Sequence, residues 1–390
     1  MARLVPFAYG FRPFFLAAGW YALIAIGIWL ALYQAGLAPF GSLPAFQWHA
    51  HEMLYGFVAA AIAGFMLTAV PSWTGERGFA GRPLIVLATL WLLGRIAIAA
   101  AGVLPLPLVA TVELSFLAAL AVTIAPSLFR SSNRNKPLLI VLFALWATDA
   151  AFLYALGDHN VALASRALRT ALDIVLLLVT VIGGRVVPAF TAGALRKRGI
   201  ESRVRSHRVV EVAAIGSMAV LVVAEIVAPN HGFTAAVALI AALAHATRLA
   251  GWQTLKTFSE PIVWVLHAAY AWLPIGLFLK ATWLVFGVAW AAHWPHALAA
   301  GAAATMILAV MTRASLGHTG RPLVVSKAIA WAYGLLTAAA AVRVFGPSVL
   351  PITYPHVIAC AGVLWIAAFL LYVIVYTPIL LRPRADGKPG

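Results

Sequence analysis

The chain is almost without cysteine: its 390 residues contain one, Cys360. A single cysteine excludes intramolecular disulfides, zinc sites built on several thiolates, cysteine-ligated iron–sulfur clusters and a covalently attached c-type haem. Any metal or cofactor must therefore be held by histidine, methionine, carboxylate or non-covalent contacts.

Charged residues are also scarce, at 10% of the chain, whereas 64% of the residues are hydrophobic and the mean hydropathy is +0.97. This composition excludes a soluble domain and predicts an all-α, polytopic membrane helix bundle that forms a single domain over residues 1–390. About twelve apolar runs are long enough to cross a bilayer. They cover roughly 14–35, 50–72, 83–103, 106–129, 137–157, 164–190, 209–228, 233–250, 261–289, 295–316, 325–345 and 355–381.

Acidic residues are the rarest charged class, with 11 against 27 basic residues, which gives a formal net charge of +16. Most of the basic residues fall in alternate loops, the longest of which is the basic loop 196–208 between spans 6 and 7. The positive-inside rule explains this pattern and predicts that both termini and these loops are cytoplasmic. The charge is therefore no evidence for nucleic-acid binding, and the lipid bilayer is the predicted partner.

The most informative stretch is WHAHEM at positions 48–53, where the second span begins on the predicted outer side. Within a helix His49 and His51 are about 200° apart around the axis, so they would face two different centres. In an extended turn they could instead converge on one metal ion. Glu52 is a candidate for catalytic proton transfer, and Met53 is a candidate soft ligand for copper. Interfacial polar residues that cap a helix are the alternative interpretation.

The tenth span also begins with histidines, His293 and His296, which share one helix face. With His49 and His51 they form a predicted copper or haem site at the outer membrane interface. Aligning His51 with His296 also aligns Gly56 with Gly301 and Met66 with Met311. These matches suggest a threefold repeat of four-helix units, in which spans 2, 6 and 10 are equivalent.

Two histidines lie inside spans, His245 in the eighth and His267 in the ninth. One imidazole on each of two adjacent antiparallel helices could hold a b-type haem from both faces. The alternative is that each histidine is hydrogen-bonded across a helix pair.

Charged residues inside the spans are concentrated in their predicted outer halves. The arginines Arg95, Arg169 and Arg343 have the charge and fork geometry to hold haem propionates. Glu113 lies in the same half and, with Glu52, is a predicted catalytic proton donor or acceptor. The alternative is that these charges line a solute cavity.

Seven strings resemble the NnrS family over nearly the whole chain. They are FRPFF (11–15), WHAHEM (48–53), VPSWTG (70–75), GRVVPAFT (184–191), LH (266–267), WLP (272–274) and MTRASLGHTGR (311–321). The resemblance implies a haem- and copper-containing protein of the bacterial inner (cytoplasmic) membrane that contributes to nitric oxide tolerance. It also implies that His49, His51, His245, His267, His296 and His318 are the family's histidines. His318 follows the tenth span, where a hydrogen-bonded turn histidine is the alternative.

Three functions follow from these features. The first is reductase-like redox chemistry on nitric oxide, with a quinol or another electron donor, at a histidine-ligated site containing haem and copper. The second is a non-catalytic protein that senses or sequesters nitric oxide or metal. The third is a twelve-helix transporter, although inverted repeats and pairs of broken helices are not evident in the sequence.

Overall fold

A computed structural model describes residues 5–37, 44–130 and 135–388. Within these ranges twelve helices are long and apolar enough to cross a membrane, and no strand occurs, which confirms the predicted fold class. We number these helices α1 to α12. Their bounds are Phe11–Gln34, Ala45–Thr74, Arg82–Ala99, Leu106–Arg130, Leu138–Gly157, Val161–Lys197, Arg208–Val227, Gly232–Ala250, Pro261–Phe286, Ala289–His318, Lys327–Val349 and Tyr354–Leu381.

The sixth helix is longer than the predicted span and extends to Lys197, into the predicted basic loop. Arg196 and Lys197 occupy its last turn, where positive side chains interact favourably with the negative end of the helix dipole. The cytoplasmic location of this loop and of both termini stays a prediction.

The helices group into two compact units. Unit 1 comprises Met1–Ala171, Met311–Leu323 and Phe369–Gly390, and unit 2 comprises Leu172–Val310 and Val324–Ala368. The single domain predicted from the sequence therefore stays a prediction. The helices that carry most of the candidate histidines, α2, α9 and α10, are the most enclosed of the twelve.

Helices α2 and α10 share a local departure from α-helical geometry. The π-helical segment Glu52–Val58 begins directly after His51, and the π-helical segment Ala297–Ala304 begins directly after His296. Such segments are rare and are frequent at functional sites. The described part of α6 is α-helical throughout, so this feature is absent from the equivalent span of the second predicted repeat unit. The threefold repeat stays a prediction.

Gly301 lies in the π-helical segment of α10 at a position where a larger residue does not fit. A Cβ atom there would lie 2.5 Å from Trp272 Cγ and 2.9 Å from Trp272 Cβ, and Trp272 Cβ cannot move unless the backbone of α9 moves. We expect Gly301→Ala to lower the free energy of unfolding by about 1–3 kcal/mol through overpacking. Equilibrium unfolding in detergent, followed by the helical signal, measures this change.

Gly334 in α11 is the matched control, because a Cβ atom there meets nothing within 4 Å. Gly334→Ala is expected to be neutral or to stabilise by about 0.5–1 kcal/mol, since alanine is the better helix former. Equal effects of the two substitutions would contradict the close approach at Gly301.

Candidate metal centre

The start of α2 is fixed by local contacts within unit 1. Pro44 precedes the first turn, and Gln47 is buried and donates a hydrogen bond to the Val161 carbonyl at 3.2 Å. The backbone is helical from Ala45 onward, so His49 and His51 lie on a formed helix. The helical alternative for the His-x-His pair is therefore the one that the structure adopts.

The two imidazoles face different surroundings. His49 is half-buried and stacks on Trp29 of α1, with ring centroids 4.5 Å apart. His51 is fully buried and stacks on Phe152 of α5, with centroids 4.7 Å apart. The two histidines of the motif therefore do not converge on one ion.

His51 is the centre of a buried cluster of carboxylates. Its Nε2 lies 3.1 Å from Asp149 Oδ1 and 3.9 Å from Glu113 Oε1, and its Nδ1 lies 2.9 Å from Glu52 Oε1. A neutral imidazole carries one N–H and can donate to only one of these flanking groups. The contact at the other ring nitrogen requires an additional proton or a metal ion.

Arg95 is the cation of this cluster. Its Nη1 donates to Glu52 Oε1 at 2.6 Å, and its Nη2 forms an ion pair with Glu113. Gly94 allows this packing, because a Cβ atom there would lie 2.5 Å from Glu113 Oε2. Helices α2, α3, α4 and α5 all contribute from the end of unit 1 that the charge pattern predicts to be outer.

The charges of the cluster do not balance. Three carboxylates, Glu52, Glu113 and Asp149, face one guanidinium, and all four side chains are buried. Uncompensated charge in a buried site is costly, so protons or a cation must neutralise the excess. A divalent metal ion has the required charge.

The side chains of His51, Glu113 and Asp149 also fit a metal geometrically. One ligand atom from each lies within 4.8 Å of the other two. Glu113 Oε1 is the oxygen that lies 3.9 Å from His51 Nε2, whereas Glu113 Oε2 is buried and has no hydrogen-bond partner among the described residues. One imidazole with two carboxylates suits iron or Cu(II) better than soft Cu(I).

A family model described as NnrS protein matches residues 5–384 of the chain. The chain belongs to the NnrS family. It is thus a multi-pass membrane protein of the nitric oxide response. Membership of this family suggests that the protein binds a metal or haem. A comparison with curated proteins finds no match.

The sequence did not identify Asp149 as a candidate metal ligand of this NnrS-family chain. It is one of the few acidic residues within an apolar span, and that rarity is the signal that marks it. Its proximity to His51 depends on the packing of α5 against the other helices of unit 1, which residue spacing does not encode.

The other predicted outer residues have these surroundings. Met53 is half-buried in the π-helical segment of α2, and Arg169 is half-buried in α6. In unit 2, Arg343 donates to Tyr354 at 2.8 Å and lies 3.2 Å from His293 Nδ1, whereas His296 ends the short α-helical turn before the π-helical segment. Metal or propionate binding by these residues stays a prediction.

The intramembrane histidines of unit 2 lie on adjacent helices and are both hydrogen-bonded. His245 Nδ1 lies 2.6 Å from Tyr270 Oη, and His267 Nε2 lies 2.7 Å from Thr191 Oγ1. The second nitrogen of each ring also lies within 3.4 Å of a threonine hydroxyl. The Tyr270 ring packs beside His245, and the Trp252 ring packs beside His267. Haem ligation by this pair stays a prediction.

His318 ends α10 in unit 1 and stacks on Tyr9, with ring centroids 5.9 Å apart. Its carbonyl accepts a hydrogen bond from Arg384 at 2.9 Å, and the chain turns at Gly320 with a φ of +71°. The predicted turn after His318 is therefore present. A metal-ligating role for His318 stays a prediction.

Proposed function

We propose that this NnrS-family protein carries out redox chemistry on nitric oxide in the bacterial inner membrane, at a metal held by His51, Glu113 and Asp149. The observation that carries the proposal is the convergence of these three buried ligand atoms within 4.8 Å. Buried ionisable groups in a membrane span are costly, and a functional role is the usual reason for them.

The bound metal would supply one-electron chemistry and a binding position for nitric oxide. His51 would bind through Nε2, because this nitrogen is the one that faces Asp149 and Glu113. Its Nδ1 would then carry the proton and donate to Glu52 Oε1, at 2.9 Å. A carboxylate in this position orients the ring and increases its basicity toward a metal.

Reduction of nitric oxide consumes protons together with electrons, and two carboxylates are placed to handle them. Glu52 is held between His51 and Arg95, and Glu113 has one oxygen on Arg95 while Oε2 has no hydrogen-bond partner among the described residues. Glu113 Oε2 is therefore the atom that we propose holds a proton beside the metal. Phe152 and Tyr55 pack against the His51 ring and help to exclude water.

The family supports further components of the same proposal. We propose that the protein contains a non-covalent, b-type haem and copper, and that a quinol or another membrane donor supplies electrons. The carboxylate-rich cluster is chemically suited to iron or Cu(II). A site for Cu(I) would need softer ligands such as Met53.

Metal and haem analysis of the intact purified protein, combined with anaerobic nitric oxide consumption, tests this function. We expect His51→Ala and Asp149→Asn to lose one bound metal ion per chain and to reduce nitric oxide consumption to background. Glu52→Gln removes the negative charge that His51 Nδ1 and Arg95 both contact, and it is expected to weaken metal binding by about 10–100-fold.

His231→Ala is the matched control, since His231 is an exposed residue that caps the start of α8. It should keep wild-type metal content and consumption. Full metal content in the His51 and Asp149 variants would refute the assigned site. Binding of nitric oxide without consumption by the wild-type protein would favour the sequestering alternative, and absence of both metal and haem would favour transport.

A further inference from the structure

Unit 2 contains a buried tyrosine that is hydrogen-bonded to an imidazole. Tyr270 of α9 has no exposed surface, and its hydroxyl lies 2.6 Å from His245 Nδ1 and 2.9 Å from Arg248 Nη1, both on α8. His245 is also fully buried. These contacts are not part of the proposed metal centre, which lies in unit 1.

The donors and acceptors of this group follow from the chemistry of its members. A guanidinium only donates, so the Tyr270 oxygen accepts the hydrogen bond from Arg248. The Tyr270 O–H must then donate to His245 Nδ1, and a neutral His245 carries its own proton on Nε2, which lies 3.4 Å from Thr180 Oγ1. The phenolic proton of Tyr270 is therefore aimed at an unprotonated basic nitrogen.

The position of Arg248 is held by several contacts. Its Nη1 donates to the Thr180 carbonyl at 2.8 Å, and its Nε donates to Glu211 Oε1 at 2.7 Å. Gly184 of α6 makes room for the guanidinium, because a Cβ atom there would clash with Arg248 Nη2. The Glu211 carboxylate offsets the positive charge of Arg248 beside the tyrosine. The contacts of Arg248 also fix the position of the Tyr270 hydroxyl group before any reaction.

A second oxidisable ring lies in contact with the first. The ring centroids of Trp252 and Tyr270 are 4.5 Å apart, and Trp252 is fully buried. Among the described residues, Trp252 Nε1 has no hydrogen-bond partner. An oxidised indole has no base to take its proton here, whereas an oxidised phenol has His245.

We propose that Tyr270 is a redox-active tyrosine that delivers one electron to a strongly oxidising metal complex. The electron leaves the phenol, the O–H bond breaks, and the proton moves to His245 Nδ1. The products are a neutral Tyr270 phenoxyl radical, a His245 imidazolium that donates back to the phenoxyl oxygen, and a metal complex reduced by one electron. His245 acts as the positioning base, and Trp252 provides an adjacent ring through which the electron can leave.

Photo-oxidation of the purified full-length protein tests the proposal directly. A ruthenium(III) polypyridyl complex, generated by a light flash in the presence of a sacrificial acceptor, serves as the one-electron oxidant. Samples are frozen after the flash, and radicals are detected by electron paramagnetic resonance. We expect a tyrosyl radical that couples to an exchangeable deuteron in heavy water and that is lost in Tyr270→Phe.

Tyr372→Phe is the matched control. Tyr372 is equally buried, but its hydroxyl donates to the Phe15 carbonyl at 3.4 Å instead of to an imidazole. This variant should keep the deuteron-coupled radical. His245→Gln retains a hydrogen-bond acceptor but removes the base, and it should lower the radical yield at neutral pH at least tenfold.

The folded state of each variant is checked by its helical signal and by its elution from a size-exclusion column. Persistence of the deuteron-coupled radical in folded Tyr270→Phe would overturn the assignment to Tyr270. An unchanged yield in folded His245→Gln would overturn the proton transfer to the imidazole.

Discussion

Replacing Arg95 with methionine is expected to lower the free energy of unfolding by about 3–5 kcal/mol, the range found when one partner of a buried ion pair is removed. Arg95 is the only cation in contact with Glu52 and Glu113 among the described residues of the cluster. Without it, Glu52, Glu113 and Asp149 remain buried together with no permanent positive charge. Equilibrium unfolding in detergent, with a chelator present, measures the effect.

Arg82 provides the control for this substitution, because it begins the same helix and is exposed. Arg82→Met should change stability by less than about 0.5 kcal/mol. Adding Glu113→Gln to Arg95→Met removes one of the stranded charges and should recover part of the loss. If the double variant were as unstable as the sum of the two single variants, the charge argument would be wrong.

Replacing Lys280 with methionine is expected to have an effect of the same size, about 3–5 kcal/mol. Lys280 Nζ lies 2.8 Å from Asp173 Oδ2 and 3.0 Å from Glu225 Oε2, and all three side chains are about 1% exposed. The ammonium also lies 4.6 Å from the centre of the Trp294 ring, a favourable cation–π contact. Its removal takes away the ammonium group that both buried carboxylates contact.

Thermal unfolding of the detergent-solubilised variants measures this prediction. Lys256→Met is the control, since Lys256 is exposed in the same unit and the substitution removes the same charge. Asp173→Asn added to Lys280→Met should restore part of the stability. A wild-type unfolding temperature in Lys280→Met would show that the ion cluster does not stabilise unit 2.

The sequence was most informative about the lipid-facing features of the chain. Runs such as Phe14 to Ala35 are apolar along their whole length, and a segment of that length has few stable alternatives to a membrane-spanning helix. The alternation of basic loops predicts the orientation by the same local reasoning. The WHAHEM motif was predicted to begin a metal site, because such groups are rare at the end of an apolar span; His51 and Glu52 are buried, and metal binding stays a prediction.

The partners of His51 were not predictable in the same way. Helical spacing relates His51 to residues three or four positions away, whereas Glu113 and Asp149 come from α4 and α5. Likewise, the sequence left open whether His245 and His267 hold a haem or form hydrogen bonds across a helix pair, and it did not identify Tyr270 and Thr191 as their partners. These contacts depend on the rotation of each helix about its own axis, which a uniformly apolar span leaves unspecified.

The amino-acid sequence by itself therefore determined that the protein is a polytopic membrane protein, that it has twelve spanning helices and that a histidine motif begins the second of them. These features depend on hydropathy and on residues close together in the chain. Only the tertiary structure decided which buried polar groups meet: Arg95 with Glu52 and Glu113, Lys280 with Asp173 and Glu225, and Tyr270 with His245. The physical reason is that a buried polar group needs a partner within hydrogen-bond distance, and helix packing, not separation along the chain, decides which group lies that close.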